Sequence, residues 1–229
     1  MGNFDIGTFI LYMVAWLFAA SVHEAAHAWM SLRFGDDLAY SQGRVTLNPV
    51  AHIDPLGTLL LPALAFFTGG MFWGWAKSTP VNPLRWRNRR VANFWVSFAG
   101  VLGNLSIAFV CMLVLRILLA RNTIVRDDVM HITLMSDSPA LEGLVKLLQI
   151  SVVLNVTLFF VNLIPIPPLD GASILSSILP ETFTPMIESL QQYGFMILIV
   201  ALFTGIIGIY LRATVPILYS ILFLGVPIS

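Results

Sequence analysis

TFILYMVAWLFAASVHEAAHAWMSL, residues Thr8 to Leu32, is the stretch on which the fold turns. It is almost wholly apolar and long enough to cross a hydrocarbon layer about 30 Å thick. Its second half nevertheless carries His23-Glu24-Ala25-Ala26-His27. Two imidazoles and a carboxylate at membrane depth are costly unless something compensates. Residues four apart share one face of a helix. Two neutral imidazoles placed there can hold one zinc ion, and the glutamate between them can act as general base on a zinc-bound water. Reading both histidines as packing residues leaves their cost in lipid unexplained.

The rest of the chain agrees with a lipid solvent. Of 229 residues 58% are hydrophobic and 10% charged, with a mean hydropathy of +0.86. Soluble domains carry about 25% charged residues. The expectation is an all-α polytopic membrane protein with five to six transmembrane or half-spanning helices and a short membrane-associated β or re-entrant segment. Zero formal net charge suggests no nucleic-acid partner. The single cysteine, Cys111, excludes an intramolecular disulfide and reads as packing. The N-terminus has no basic start and does not read as a cleavable signal.

Further apolar stretches run Val91–Leu119, Leu141–Ile164 and Tyr193–Tyr210, with a shorter one at Ala213–Ile228 that contains Pro216 and Pro227. Pro55–Trp75 is ambiguous because Gly69-Gly70 and Gly74 interrupt it. Asp54 followed by Pro55 reads as an N-cap and first helical residue. Gly43-Arg44-Val45-Thr46-Leu47-Asn48-Pro49 suggests a short extended piece at the membrane surface. Lys77–Arg90 carries Lys77, Arg85, Arg87, Arg89 and Arg90 and no acid, which places it in the cytoplasm by the positive-inside rule. Trp73, Trp75, Trp86 and Trp95 flank it as interfacial aromatics.

A catalytic zinc needs a third protein ligand and an open position. Asp170 stands out, at the end of Asn162-Leu163-Ile164-Pro165-Ile166-Pro167-Pro168-Leu169-Asp170-Gly171. The prolines break the preceding helix and leave irregular backbone, tolerated at membrane depth only where protein or a cavity covers it. Asp170 can also cap a helix over Gly171–Leu179, and the two roles are compatible. In Ala99-Gly100-Val101-Leu102-Gly103-Asn104, small residues permit close helix approach. Asn104 reads either as an interhelical hydrogen bond or as a donor to a developing oxyanion. His52 reads either as a loop histidine bonded to backbone or as a pocket residue near the zinc. His131, in the polar loop Arg121–Ser138, reads as a loop histidine with no role at the site.

Together these motifs resemble the site-2 proteases, intramembrane zinc metalloproteases of the M50 type. The resemblance rests on His23-Glu24-xx-His27, Gly100-xxx-Asn104 and Asn162…Leu169-Asp170-Gly171, in that order, and runs from about residue 10 to residue 180. GRVTLNPVAHIDPLGTLLL, residues 43–61, resembles the compact bacterial branch that lacks PDZ and CBS domains. Val101 departs from the proline usual there. The resemblance implies one zinc ion per chain held by His23, His27 and Asp170, with Glu24 as base and Asn104 binding the substrate carbonyl. Asn48, His52 and Asn162 are candidates for substrate binding or for supporting the ligands. One membrane-embedded metalloprotease domain is expected over 1–229, with a catalytic core at about 8–180 and C-terminal helices at about 190–229. A membrane-protein substrate and the lipid bilayer are the expected partners, and homo-oligomers are compatible with the sequence.

Bringing the three motifs together constrains topology. The first span must end on the face where the Val91 span begins, so Pro55–Arg90 must leave and return on one face. A re-entrant or half-spanning Pro55–Trp75 satisfies that, and the basic loop makes this face cytoplasmic. The protein is then a multi-pass cell-membrane protein with its active site near the cytoplasmic face, His27 lying roughly 9 Å before Arg33 at 1.5 Å per residue. A substrate strand pairing with Gly43–Asn48 would hold a scissile segment extended. Rival readings are a membrane metal-ion transporter and a non-proteolytic zinc-binding membrane protein. One three-ligand site rather than a polar path disfavours the first, and Glu24 disfavours the second.

Overall fold

The computed structural model describes residues 5–68, 74–126, 132–134 and 138–222. Gly69-Gly70, Trp73, His131 and Pro227 lie outside them. The helices are α1 (Ile6–Arg33), α2 (Leu38–Ser41), α3 (Leu61–Thr68), α4 (Arg89–Ala120), α5 (Pro139–Asn162), α6 (Asp170–Ile178), α7 (Thr184–Phe203) and α8 (Ile206–Leu222). Two short strands, β1 (Ile124–Arg126) and β2 (Ile132–Leu134), pair antiparallel with Val125 opposite Thr133. Among the described residues, four helices are long and apolar enough to cross a membrane: Ile6–Arg33, Arg89–Ala120, Pro139–Asn162 and Pro185–Phe203. The expected helical, polytopic architecture is what the structure shows.

Alanines make the centre of the bundle. Ala15, Ala19, Ala20, Ala25 and Ala28 of α1 and Ala92, Ala99 and Gly100 of α4 are buried, so the two backbones approach closely. The larger apolar side chains collect at the other end. There Met112 and Leu115 of α4, Val145, Val152 and Val156 of α5, Val215 and Tyr219 of α8 and Ile124 of β1 form one core. The polar cluster therefore sits at the α1–α4 end and the greasy core at the α4–α5–α8 end.

Asp54 caps as expected, its Oδ1 accepting from the N–H of Leu56 and Gly57 at 3.0 and 2.8 Å. A π-helical turn, Pro55–Leu60, then leads into α3. Pro55–Thr68 is only about 21 Å long at 1.5 Å per residue, short of a full crossing. The chain comes back beside its start: Trp75 N–H donates to Gly57 C=O at 3.1 Å, and Thr58 Oγ1 to Trp75 C=O at 2.8 Å. A Cβ on Gly57 would collide with the Trp75 ring, so glycine is what lets the two limbs close. The described ends of Pro55–Trp75 thus lie side by side, which agrees with the re-entrant arrangement expected from the sequence.

Three local expectations are corrected. Gly43–Asn48 is not a strand. Gly43 takes a left-handed φ of 67°, and the Asn48 N–H turns back to Thr46 Oγ1 at 3.1 Å, so local side-chain bonds take the groups a ladder needs. Tyr193–Tyr210 is not one helix, because Gly205 at φ 78° ends α7 and starts α8. Trp86 is buried rather than interfacial, its Nε1 donating to Ser31 Oγ at 2.8 Å.

Candidate metal centre

α1 presents both histidines on one face, as the i, i+4 spacing demands. Their Nε2 atoms lie 3.0 Å apart. Each ring is aimed by a bond at its other nitrogen: His27 Nδ1 donates to Val96 C=O at 2.7 Å and His23 Nδ1 to Asn104 Oδ1 at 2.8 Å. Both partners belong to α4, which also makes room. A Cβ on Gly100 would lie 2.8 Å from His23 Cε1 and closer still to His27 Nε2.

Asp170 arrives from α5 by way of the proline turn. Its Oδ2 lies 3.3 Å from His23 Nε2 and 3.4 Å from His27 Nε2. It opens α6 as the first helical residue, with Leu169 as N-cap, so the expected capping role falls away and the carboxylate is left for the site. Gly171 lets α6 turn tightly, since a Cβ there would strike the carbonyls of Leu163 and Ile164. α4 clamps α6 in place. Arg90 donates to the C=O of Ser177, Ile178 and Leu179 at 2.6, 2.8 and 3.1 Å, and Asn93 Nδ2 to Ser177 Oγ at 2.8 Å.

These distances fit a metal. A tetrahedral zinc with bonds of about 2.0–2.1 Å has ligand-to-ligand edges of about 3.3–3.4 Å. Three converging atoms at 3.0, 3.3 and 3.4 Å approach that triangle. Asp170 Oδ2 is moreover buried with only the two imidazole nitrogens near it, and a bound ion is one way in which such an oxygen is satisfied. Among the described residues, His23, His27 and Asp170 form the group able to hold a metal ion.

Glu24 faces the same cavity, a space of about 470 Å³. It is 9% exposed, and its Oε2 accepts from Thr79 N–H at 2.6 Å, while Thr79 Oγ1 donates to Glu24 C=O at 2.9 Å. Thr79 belongs to a strap, residues 74–82, that returns from the re-entrant hairpin. Arg44 Nη2 donates to the C=O of Lys77 and Ser78 at 3.2 and 3.0 Å. Lys77 N–H reaches His52 C=O at 2.9 Å, and Asn82 N–H the buried Asp36 Oδ2 at 2.7 Å. The N–H groups of Trp75, Lys77 and Thr79 all turn into the protein, the period-2 alternation of an extended chain. Beyond the polar end the cavity is apolar, lined by Leu154, Leu158 and Val161 of α5 and by Leu198, Leu202 and Ile207.

Not every candidate reaches this centre. His52 is buried but stands apart from it, its Nε2 donating to Thr46 C=O at 2.9 Å. Asn48 caps the short helical turn Pro49–His52, its Oδ1 accepting from Val50 N–H at 3.1 Å. Both hold the loop beneath the strap, because the turn that replaces the expected strand directs them there. Asn162 does line the cavity, with its Nδ2 on Leu158 C=O at 3.1 Å. Asn104 also lines the cavity and meets His23 there, while its NH₂ points away from the cavity, to Asn155 Oδ1 at 3.0 Å and, over a longer distance, to Ala19 C=O at 3.4 Å.

The model of peptidase family M50 matches residues 9–205, from the first turn of α1 past the end of α7. The chain belongs to peptidase family M50. It is 36% identical over 201 residues to the candidate zinc metalloprotease YwhC of Bacillus subtilis, covering 87% of this chain and 83% of that protein. Over 200 residues it is 34% identical to the candidate zinc metalloprotease Rip2 of Mycolicibacterium smegmatis, covering 87% and 69%. The Rip2 of Mycobacterium tuberculosis H37Rv is 29% identical over 195 residues, covering 85% and 67%. No solved structure matches the chain. Membership in M50 agrees with the resemblance drawn from the motifs, and it makes the chain a peptidase.

Three residues at the M50 centre escape a motif search. Arg90 reads only as loop charge, yet it holds α6. Thr79 acts through its main chain, which no side-chain pattern reveals. Asn155 leaves a visible signal, a fully buried amide in the middle of an apolar span, but not the identity of its partner.

Proposed function

We propose that this M50 peptidase hydrolyses peptide bonds in or beside transmembrane segments of membrane proteins, with one zinc ion held by His23, His27 and Asp170 and with Glu24 as general base. The observation that carries the reading is the convergence of three ligand atoms at near-tetrahedral spacing in the cavity that Glu24 faces. Zinc supplies there a Lewis acid for the scissile carbonyl and a lowered pKa for water. Glu24 takes a proton from the attacking water and delivers it to the leaving amine. Thr79 N–H, on Oε2, leaves the other carboxylate oxygen for that transfer and fixes the rotamer. With both N–H bonds of Asn104 engaged inside the bundle, we assign it to aiming His23 rather than to binding the substrate carbonyl.

A helical substrate hides its carbonyls in hydrogen bonds, so the scissile segment must be extended. We assign the edge to the strap around Ala76 rather than to Gly43–Asn48: Ala76 lines the cavity, and its neighbours Trp75 and Lys77 are held from behind by their main-chain bonds to Gly57, Thr58, His52 and Arg44. Apolar side chains beside the scissile bond suit the Leu158, Leu198 and Leu202 wall. We assign this end to the cytoplasmic face of the cell membrane, a reading supported by the basic Lys77–Arg90 loop. We read the chain as one membrane-embedded domain, a reading supported by the packing of α8 into the same core as α4 and α5.

The test compares purified wild type and Glu24→Gln on a membrane-embedded reporter. Both retain zinc, and the variant cleaves about 10²–10⁴-fold more slowly. A zinc-loaded Glu24→Gln enzyme that cleaves at the wild-type rate overturns the mechanism.

A further inference from the structure

We infer that Asn155, on α5, is a positioning residue that sets, through Asn104, which nitrogen of His23 is presented to the metal. The inference rests on the reading of His23 as a ligand through Nε2. Asn155 and Asn104 are each 0% exposed, and they sit on different helices. Their bonds run in one direction. Asn155 Nδ2 donates to Ser151 C=O at 2.8 Å. Asn104 Nδ2 donates to Asn155 Oδ1 at 3.0 Å, and His23 Nδ1 meets Asn104 Oδ1 at 2.8 Å.

The direction is forced from the far end. A main-chain carbonyl can only accept, so Ser151 obliges Asn155 to turn its NH₂ toward α5 and its oxygen toward Asn104. That oxygen in turn obliges Asn104 to present its own NH₂ to Asn155 and its oxygen to His23. A histidine facing an oxygen must carry its proton on Nδ1, which leaves the Nε2 lone pair free toward His27 and Asp170. Reversing any one amide sets two donors or two acceptors face to face. Ala19 C=O, at 3.4 Å from Asn104 Nδ2, favours the same orientation over a longer distance. A polar pair buried between apolar helices thereby acquires a task that packing alone does not give it.

The experiment uses the full-length protein in detergent or nanodiscs. Asn155→Leu removes the acceptor at similar volume. Asn155→Asp keeps an acceptor for Asn104 and, as a neutral buried acid, a donor for Ser151. Zinc affinity, measured by competition with a chromophoric chelator, is expected to fall about tenfold in Asn155→Leu, at the lower end of the 10–100-fold range for such outer partners because Ala19 remains. Asn155→Asp stays within about threefold of wild type if the relay sets the affinity. In ¹⁵N-histidine-labelled protein, which has four histidine side chains, the His23 Nδ1–H exchanges with water faster in Asn155→Leu. This second readout needs no metal. If wild type itself binds no zinc, the zinc reading fails while the exchange rate still decides the relay. Should Asn155→Leu fail to fold, Asn155→Ala takes its place. Wild-type affinity and exchange in a folded Leu or Ala variant overturn the inference, as does an equal loss in the Asp variant.

Discussion

Replacing Gly100 by alanine sets helix propensity against metal binding, and the structure predicts which wins where. Gly100 lies inside α4, where alanine is favoured over glycine by about 1 kcal/mol. The added methyl would nonetheless sit 2.8 Å from His23 Cε1 and nearer still to His27 Nε2. Carbon atoms pack at about 3.5–4.0 Å, so at least one ring must retreat by about 1 Å. Metal–ligand distances tolerate only about ±0.2 Å. The metal-free protein can relieve the clash by shifting the rings at the expense of their bonds to Val96 and Asn104, but the loaded site cannot. Gly100→Ala is therefore expected to change the stability of the metal-free protein by no more than about 1–2 kcal/mol, the gain in helix propensity offsetting part of the strained ring bonds. Its zinc content after equilibration with a competing chelator should fall to background, and cleavage should drop at least about 10²-fold, as for a comparable misplacement of reacting groups. Metal analysis of the purified protein, unfolding in detergent and reporter cleavage give the three readings. A Gly100→Ala protein that binds one zinc ion as tightly as wild type would refute the claim that glycine is there to admit the two imidazoles.

The strap offers two more tests. Thr79→Pro removes the N–H on Glu24 Oε2 and should lower kcat about 10²-fold with zinc retained, whereas Thr79→Val keeps that N–H and should cost only about a few-fold; equal effects would show that the main-chain bond is not the important one. Asp36→Ala strips the acceptor from Ser31 Oγ, Leu38 N–H and Asn82 N–H, bonded at 3.0, 3.1 and 2.7 Å. Losing such a buried, charge-assisted cluster should destabilise the protein by about 3–5 kcal/mol and expose residues 74–82 to protease, and an unchanged unfolding midpoint would contradict it.

Much of the centre is legible in the sequence because its chemistry is local or expensive. His23 and His27 follow from helix periodicity, Asp170 from the poor company it keeps at membrane depth, and the Pro55–Trp75 hairpin from the need to bring the three ligand regions to one face. What escapes does so for stated physical reasons. A hydropathy window responds to side chains and not to φ, so it runs straight through Gly205. Val45, Thr46 and Leu47 have good strand propensity, but the Thr46–Asn48 turn outcompetes a ladder. β1 and β2 lie in a charged loop whose composition favours no element. The strap binds through its main chain, so almost any side chain there would read alike. Asn155 is conspicuous in a lipid-compatible span, yet only the packing of α4 on α5 reveals which amide it faces.

The ligand set also has an order in time. His23 and His27 emerge from the ribosome early, while Asp170 and the amide pair's second member come from α5 and α6, more than a hundred residues later. At about 5–20 residues per second the interval is roughly 6–30 s. During it the nascent chain has a base and two imidazoles but no closed metal site, and it lies among the unfolded helices of other proteins entering the same membrane. If Asp170 is the third ligand, as proposed, the peptidase is expected to be silent through its own insertion, and chains truncated before Asp170 are expected to bind no zinc at this site.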